Sequence, residues 1–346
     1  MAPKLPNPLI AVVIVGNGWT HACSQKKEVH FPSVVGIEQS AFTSVDLGDY
    51  EFENHPITWD DITFVVGKDA YDRSRISSGT MGSDKVGSVT HRRLFIAALY
   101  KLFGPRDIQP DVVITTLPVL YYDSRDERDQ MKTLLSGDYQ IEAGGKQFCY
   151  SISADAIKVI PEGLPTVVDQ IYNRKLEVQR PALATENVAV VNIGTFTTDL
   201  ILIEGQKPIT ARCRSIDYGL HQVWSDVIQK ARQYHGRTLS QFEADNAVKN
   251  GYFMSGNKKI EVKEWADATL EQVAEAIANE IAQLWDSGLA VQHIISAGGG
   301  GPQFDEYLYA RYRDRVNYIH FNSVEEAAAT EMHGCWKFAQ IKLSQG

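Results

Sequence analysis

Three glycine-containing segments carry the residues best suited to hold an anion. Gly16-Asn17-Gly18 follows one apolar run, Gly194-Thr195-Phe196-Thr197-Thr198 follows a second, and Gly298-Gly299-Gly300-Gly301 follows a third. Glycine lacks a Cβ and reaches φ > 0, so successive N–H groups there can converge on a phosphate. A G-x-G turn serves equally as an ordinary hairpin, and the four-glycine run stands open between phosphate or sugar contact and plain packing. Neither G-x-x-x-x-G-K-[ST] nor G-x-G-x-x-G occurs, which excludes the P-loop and Rossmann readings. Two carboxylates accompany these turns. Glu162, in Pro161-Glu162-Gly163, reads on its own as a helix-start acid favoured by the macrodipole. Asp199 reads as a strand-edge acid facing solvent.

Other chemistry is poorly supported. The nine histidines form no H-x-x-x-H or H-E-x-x-H set, and His21 and His30 read as strand-surface residues. The four cysteines, Cys23, Cys149, Cys213 and Cys335, contain no C-x-x-C pair, the pattern of reduced, mostly buried thiols rather than a zinc site or disulfide framework. Tyr121-Tyr122 reads as a packed corner, Asp123–Lys132 as a solvated helix start, and Lys258-Lys259 as too small a basic cluster for DNA.

The elements that must position the turns follow from apolar periodicity. Leu9–Val15 predicts a buried strand, and Gly16–Gly18 a turn into a second arm at Trp19–Ser24. Further strands are expected at Ile62–Val66, Asp111–Thr116 and Ile157–Ile160. Helices are expected over Arg92–Leu102 and Leu164–Tyr172. After a polar crossover at 174–187 the logic repeats: a strand at Val188–Ile193, a turn at Gly194–Thr198 and a returning strand at Asp199–Ile203. Helical patterns follow Gly219 and cover 268–286. Ser323-x-x-Glu326 reads as a capping box opening a last helix to about Phe338.

The 346 residues, 44% hydrophobic and 22% charged, suit about two globular domains. A net charge of −9 argues against a broad nucleic-acid-binding surface. The apolar run Leu9–Val15 is far shorter than the roughly 20 residues of a membrane span. It is preceded by Asn7-Pro8 and followed by no A-x-A-like site, so neither a signal peptide nor a membrane protein is expected.

The order of the motifs resembles a known superfamily. IAVVIVGNGWTHA, VVITTLPVLYYD, IKVIPEGLPTVVDQ, VAVVNIGTFTTDLILIEG, RSIDYGLHQV and HIISAGGGGPQF succeed one another as in actins, heat-shock chaperones and sugar kinases, and most closely as in ParM-like plasmid-segregation actins. KVIPEGLP and TLPVLYYD carry the ParM-like part. The resemblance implies an α/β, actin-like fold of two RNase H-like domains with a nucleotide cleft between them. Domain I would cover 1–175, with a C-terminal helix at 323–346 packing back on it, and domain II 180–322. The helices at Leu164–Tyr172 and Glu326–Phe338 would be hinge elements.

The same resemblance implies site roles. Gly16, Asn17 and Gly18 would hold the β- and γ-phosphates of ATP or GTP from domain I. Asn192, Gly194, Thr195, Thr197 and Thr198 would serve from domain II. Gly298, Gly299 and Gly300 would pass the adenosine and α-phosphate, and Gly219 would open the helix flanking the base. Glu162 would orient the attacking water in an ATPase or GTPase reaction. Two departures stand out: Ile14 and Asn192 occupy positions where the family has aspartates that organise water on Mg²⁺. Only Asp199 keeps a carboxylate there, as a water-mediated metal contact. The implied function is a cytoplasmic, filament-forming homopolymer for plasmid or DNA segregation, linked to DNA through an adaptor protein rather than by direct nucleic-acid contact. Its hydrolysis would be weakened. The alternative is a pseudo-ATPase partner of the same fold, and a small-molecule kinase is a weaker reading.

Overall fold

The computed structural model describes residues 8–37, 55–73, 77–79, 88–286 and 291–345. The chain divides into two compact units, Met1–Val178 with Glu331–Gly346, and Gln179–Thr330.

The first unit starts with β1 (Ile10–Val15), β2 (Trp19–Cys23), β3 (Glu28–Pro32), β4 (Val34–Ile37), β5 (Ile57–Trp59) and β6 (Ile62–Val66). There follow α1 (Lys68–Arg73), β7 (Ser77–Gly79), α2 (Val89–Phe103), β8 (Val112–Leu117), α3 (Val119–Tyr122) and α4 (Arg125–Leu135). β9 (Gly137–Ala143), β10 (Lys146–Ile152), β11 (Ile157–Pro161) and α5 (Leu164–Ile171) complete the run. One sheet has the order β11-β8-β1-β2-β3, and a second has β10-β9-β5-β6-β4-β7. β1 is buried on both faces, as its unbroken β-branched sequence requires. Ala11, Val13 and Val15 join Leu94, Phe95, Ala98 and Leu99 of α2 in the main core. Helix α2 has the Ser88 hydroxyl accepting from the His91 N–H at 3.1 Å, and Gly104 at φ +73° closes it.

Most of the second sheet escapes periodicity analysis because β5 and β7 have only three residues each. β9 is the exception. Its sequence GDYQIEA buries Tyr139, Ile141 and Ala143 in strict alternation, a period-2 signal in plain view.

The second unit contains β12 (Val188–Ile193), β13 (Thr198–Glu204), β14 (Lys207–Pro208), β15 (Arg214–Ile216), α6 (Leu220–His235) and α7 (Gln241–Asn250). β16 (Tyr252–Ser255), β17 (Lys258–Glu261), α8 (Lys263–Trp285), β18 (His293–Ala297), α9 (Gly301–Tyr312) and β19 (Asn317–Ile319) follow, and α10 spans Val324–Gln345. Its main sheet runs β14-β13-β12-β18-β19. Ala189, Val191 and Ile193 of β12 pack with Val223 and Trp224 of α6 and Ile277 and Ile281 of α8.

Three boundaries differ from the sequence expectation for local reasons. α8 begins at Lys263 rather than 268, because Ala266 is buried and Lys263 pairs with Asp267 at 2.6 Å across one turn. α10 continues past Phe338 to Gln345, with Ala339 still buried. The Ser323 box is displaced by a residue: Glu326 N–H donates to the Ser323 hydroxyl at 3.1 Å, but the Glu326 carboxylate accepts from Asn322 N–H at 3.2 Å. Helix α7, absent from the sequence reading, is announced by the same signature, since Ser240 and Glu243 form a reciprocal capping box.

Within the first unit α10 is fixed to α5 by two contacts. A Cβ on Gly334 would lie 1.7 Å from the Pro165 carbonyl oxygen, so only glycine permits the approach. The buried Lys337 ammonium donates to the Asp169 carboxylate and carbonyl at 2.6 and 2.9 Å and to the Tyr172 carbonyl at 2.6 Å, satisfying the end of α5. One corner expectation changes. Tyr121 is 43% exposed rather than packed, beside Leu120 at 48%. The charged stretch after it does form a helix, with the Ser124 hydroxyl accepting from Glu127 N–H.

Candidate functional site

In the first unit the turn between β1 and β2 is closed by Gly16 N–H donating to the Trp19 carbonyl at 2.9 Å. A Cβ on Gly16 would stand 2.5 Å from that oxygen. The Gly18 carbonyl accepts from Ser33 N–H at 2.8 Å, while among the described residues the Gly18 N–H has no acceptor. β1, β8 and β11 are parallel and end on the same side. Extending their register puts Gly16, Pro118 and Glu162 in one row, roughly 10 Å long at the usual strand spacing. Glu162 N–H donates to the Leu117 carbonyl at 2.9 Å, and Gly163 at φ +79° turns the chain into α5.

The second unit repeats this turn. Gly194 N–H donates to the Thr197 carbonyl at 2.8 Å, and the flanking pairs Ile193↔Thr198 and Asn192↔Asp199 match Val15↔Thr20 and Ile14↔His21 of the first. Among the described residues the N–H groups of Thr195 and Phe196 have no acceptor. The carbonyls of Gly194 and Thr195 are both used: Leu220 N–H donates to Gly194 O at 3.2 Å and His221 N–H to Thr195 O at 2.8 Å. Helix α6 is thus docked end-on against the turn. A Cβ on Gly219 would lie 2.7 Å from both carbonyl oxygens, which explains that glycine.

The four-glycine loop packs on the other flank. Gly300 N–H donates to Ile193 O at 2.8 Å, and Gly298 sits at φ +80° with its Cβ position 2.4 Å from Ile193 O and 2.5 Å from the Asn192 side-chain oxygen. Gly299 alone among the three faces open space, with nothing within 4 Å of a Cβ and no acceptor for its N–H among the described residues. Asn192, Gly194, Thr195, Thr197, Thr198, Gly219, Gly298 and Gly300 are therefore brought together within one unit. Thr198 is fully buried and its hydroxyl donates to the Tyr218 carbonyl at 2.8 Å.

Asn192 and Asp199 face each other across β12 and β13. The described residues contain no group of three or more His, Cys, Asp or Glu placed to hold a metal ion. The pair fits Mg²⁺ only as outer partners of a largely hydrated ion. Ile14, 9% exposed, offers no oxygen at the matching place in the first unit.

Two residues were given no role from the sequence. Phe196 packs against His221 with ring centroids 5.2 Å apart and planes tilted, and burial lowers the pKa of His221. His21 is not a plain strand-surface residue. It lies opposite Ile14, with its ring centroid 6.3 Å from that of His30. Burial, then the charges of His30 and His333, push its pKa down to about 4. The cysteines are free, and Cys23, Cys213 and Cys335 are buried.

A strand–turn–strand unit repeated in two α/β units, each followed by parallel strands and helices, defines the actin-like fold. Two family models match: the actin like proteins N terminal domain over residues 15–164, and the archaeal actin homologue MreB-like C-terminal domain over 190–310. The chain belongs to the actin-like proteins, the group that includes ParM and the archaeal actin homologues. Solved structures agree. An archaeal actin homologue, Ta0583, in complex with ADP has a TM-score of 0.77 at 18% identity, covering 96% of this chain and 99% of its own. A 15-stranded ParM filament from Clostridium botulinum gives 0.78 at 17%, covering 97% and 99%. A Bacillus thuringiensis ParM with ATP gives 0.69 at 15%, covering 98% and 100%. No curated protein matches the sequence. No described helix is long and apolar enough to cross a membrane.

Proposed function

We propose that the chain binds ATP or GTP and assembles into filaments that move or position DNA, plasmid DNA in particular, through an adaptor protein. The observation that carries the nucleotide reading is the pair of matched turns whose amides, at Gly18 and at Thr195 and Phe196, have no acceptor among the described residues. Such amides are built to receive an anion. Gly298, Gly299 and Gly300 would bring backbone to the nucleoside and α-phosphate, and Gly219 would open the helix beside the base. The filament reading is supported by the solved relatives, one of which is itself a ParM filament.

Glu162 would orient the attacking water. When bound, Mg²⁺ would neutralise phosphate charge, with Asn192 and Asp199 holding its water shell. Ile14 and Asn192 remove two carboxylates from that arrangement, so turnover is slow. The second reading, a pseudo-ATPase partner without turnover, is favoured by those same two residues.

Calorimetric titration with ATP and GTP, followed by sedimentation and phosphate release on the same sample, tests these readings. Binding with nucleotide-dependent pelleting and slow phosphate release is expected. Absence of binding would overturn the nucleotide reading, absence of pelleting the filament reading, and fast release the claim of weakened hydrolysis.

A further inference from the structure

The first sheet ends on β3, which among the described residues pairs with β2 alone. Hydrogen bonds at both ends of that pair fix the alternation between them. Ser24 N–H donates to Lys27 O and Ser33 N–H to Gly18 O, each at 2.8 Å. In this register Lys27, Val29 and Phe31 turn their backbone groups to β2, and Glu28 and His30 turn theirs outward. Among the described residues those outward groups have no backbone partner. Two residues guard this edge against a strand of its own kind: Lys27 is charged and exposed, and Pro32 has no N–H.

A groove of about 650 Å³ lies beside the edge, within the size range of ligand sites. Its walls include Lys27 and Val29 of β3, Ile57 of β5, and Lys101, Leu102 and Phe103 of α2. Side-chain alternation puts Lys27, Val29 and Phe31 on the α2 face of β3, where Val29 and Phe31 join the core. The Lys101 ammonium lies 5.3 Å from the centre of the Phe31 ring. The groove face thus presents a cation, an apolar side chain and a second cation in line. Lys27 and Phe31 stand about 13 Å apart at the usual strand rise. Glu28 is the one acidic residue beside the groove among the described residues. Its side chain belongs to the opposite face, where His333 of α10 holds it at 3.2 Å.

We propose that this edge and groove form a docking site for an extended acidic segment of a partner protein, which adds to the first sheet as a strand beyond β3. The free N–H and C=O groups of Glu28 and His30 hold its backbone. Every second side chain of the added strand enters the groove, so the segment that fits reads acid-x-apolar-x-acid. The apolar residue settles between Val29 and Ile57, and the two acids meet Lys27 and Lys101. A second copy of β3 is the poorer occupant, because it brings Lys27 and Pro32 to an edge guarded by the same two residues. The site lies within the first unit and is independent of the nucleotide reading.

The test is fluorescence anisotropy of the full chain, without added nucleotide, against a labelled nine-residue peptide centred on Glu-Ser-Val-Ser-Glu. Saturable one-to-one binding is expected, with protection of the Glu28 and His30 amides from hydrogen exchange. Lys27→Glu, at an exposed position, should weaken binding by about fivefold or more. The same peptide N-methylated on the amides that face β3 should not bind, nor should one centred on Lys-Ser-Val-Ser-Lys. No binding of the acidic peptide, equal binding of either control, or an unchanged affinity in Lys27→Glu would each overturn the proposal. If Lys27→Glu fails to fold by circular dichroism, amide protection in the natural chain decides. Protection of the same amides that grows with chain concentration alone would give the edge to a second copy and overturn the proposal as well.

Discussion

Gly298 and Gly299 are neighbours in a run of four identical residues, yet the fold asks different things of them. Gly298 adopts φ +80° against the Ile193 carbonyl, whereas Gly299 meets nothing. Gly298→Ala should cost about 2 kcal/mol or more, and Gly299→Ala should leave thermal unfolding within about 0.5 kcal/mol of the natural chain. Equal effects would refute this division of roles. His21 shows the same dependence on surroundings. Its pKa falls from 6.5 to about 4 on folding, so between those values the unfolded chain binds the extra proton. Stability is full above about pH 6.5 and declines toward pH 4, by about 3 kcal/mol at the limit. Denaturant unfolding across that range should show a shallower decline for His21→Gln.

At the scale of elements, α5 and α10 meet through Gly334 and Lys337. Replacing Lys337 by Met leaves Asp169 buried without its cation, which costs about 3–5 kcal/mol. Adding Asp169→Leu to Lys337→Met should recover much of that loss, because an apolar pair needs no partner in the interior. A double variant as unstable as the single one would mean that the carbonyl contacts at Asp169 and Tyr172, rather than the ion pair, carry the joint. The elements and boundaries that sequence reading missed have separate local causes. β5 and β7 are too short to show a period, and the extra first turn of α8 carries a single buried residue, Ala266, beside an i,i+4 ion pair.

At the scale of the molecule, both units close the same turn with the same hydrogen bond, and they differ in what stands behind it. Introducing Ile14→Asp with Asn192→Asp returns carboxylates to both places. If the missing carboxylates limit turnover, phosphate release should rise by about tenfold or more, the usual size of such electrostatic contributions. An unchanged rate in a variant that still folds and binds nucleotide would remove the argument from magnesium.

The order of turns, the buried strands around them and the family were legible in the sequence, since each follows from local backbone chemistry: β-branched runs, glycine at turns and a capping serine three residues before a glutamate. What the tertiary structure decided is the environment of each side chain. Gly219 must be glycine because two carbonyls of a turn 25 residues earlier stand against it. Burial first, then the charges of His30 and of His333 from the last helix, hold the pKa of His21 down. Backbone preference acts over neighbouring residues and is written along the chain. Burial and electrostatics act through space, between residues that only the fold brings together.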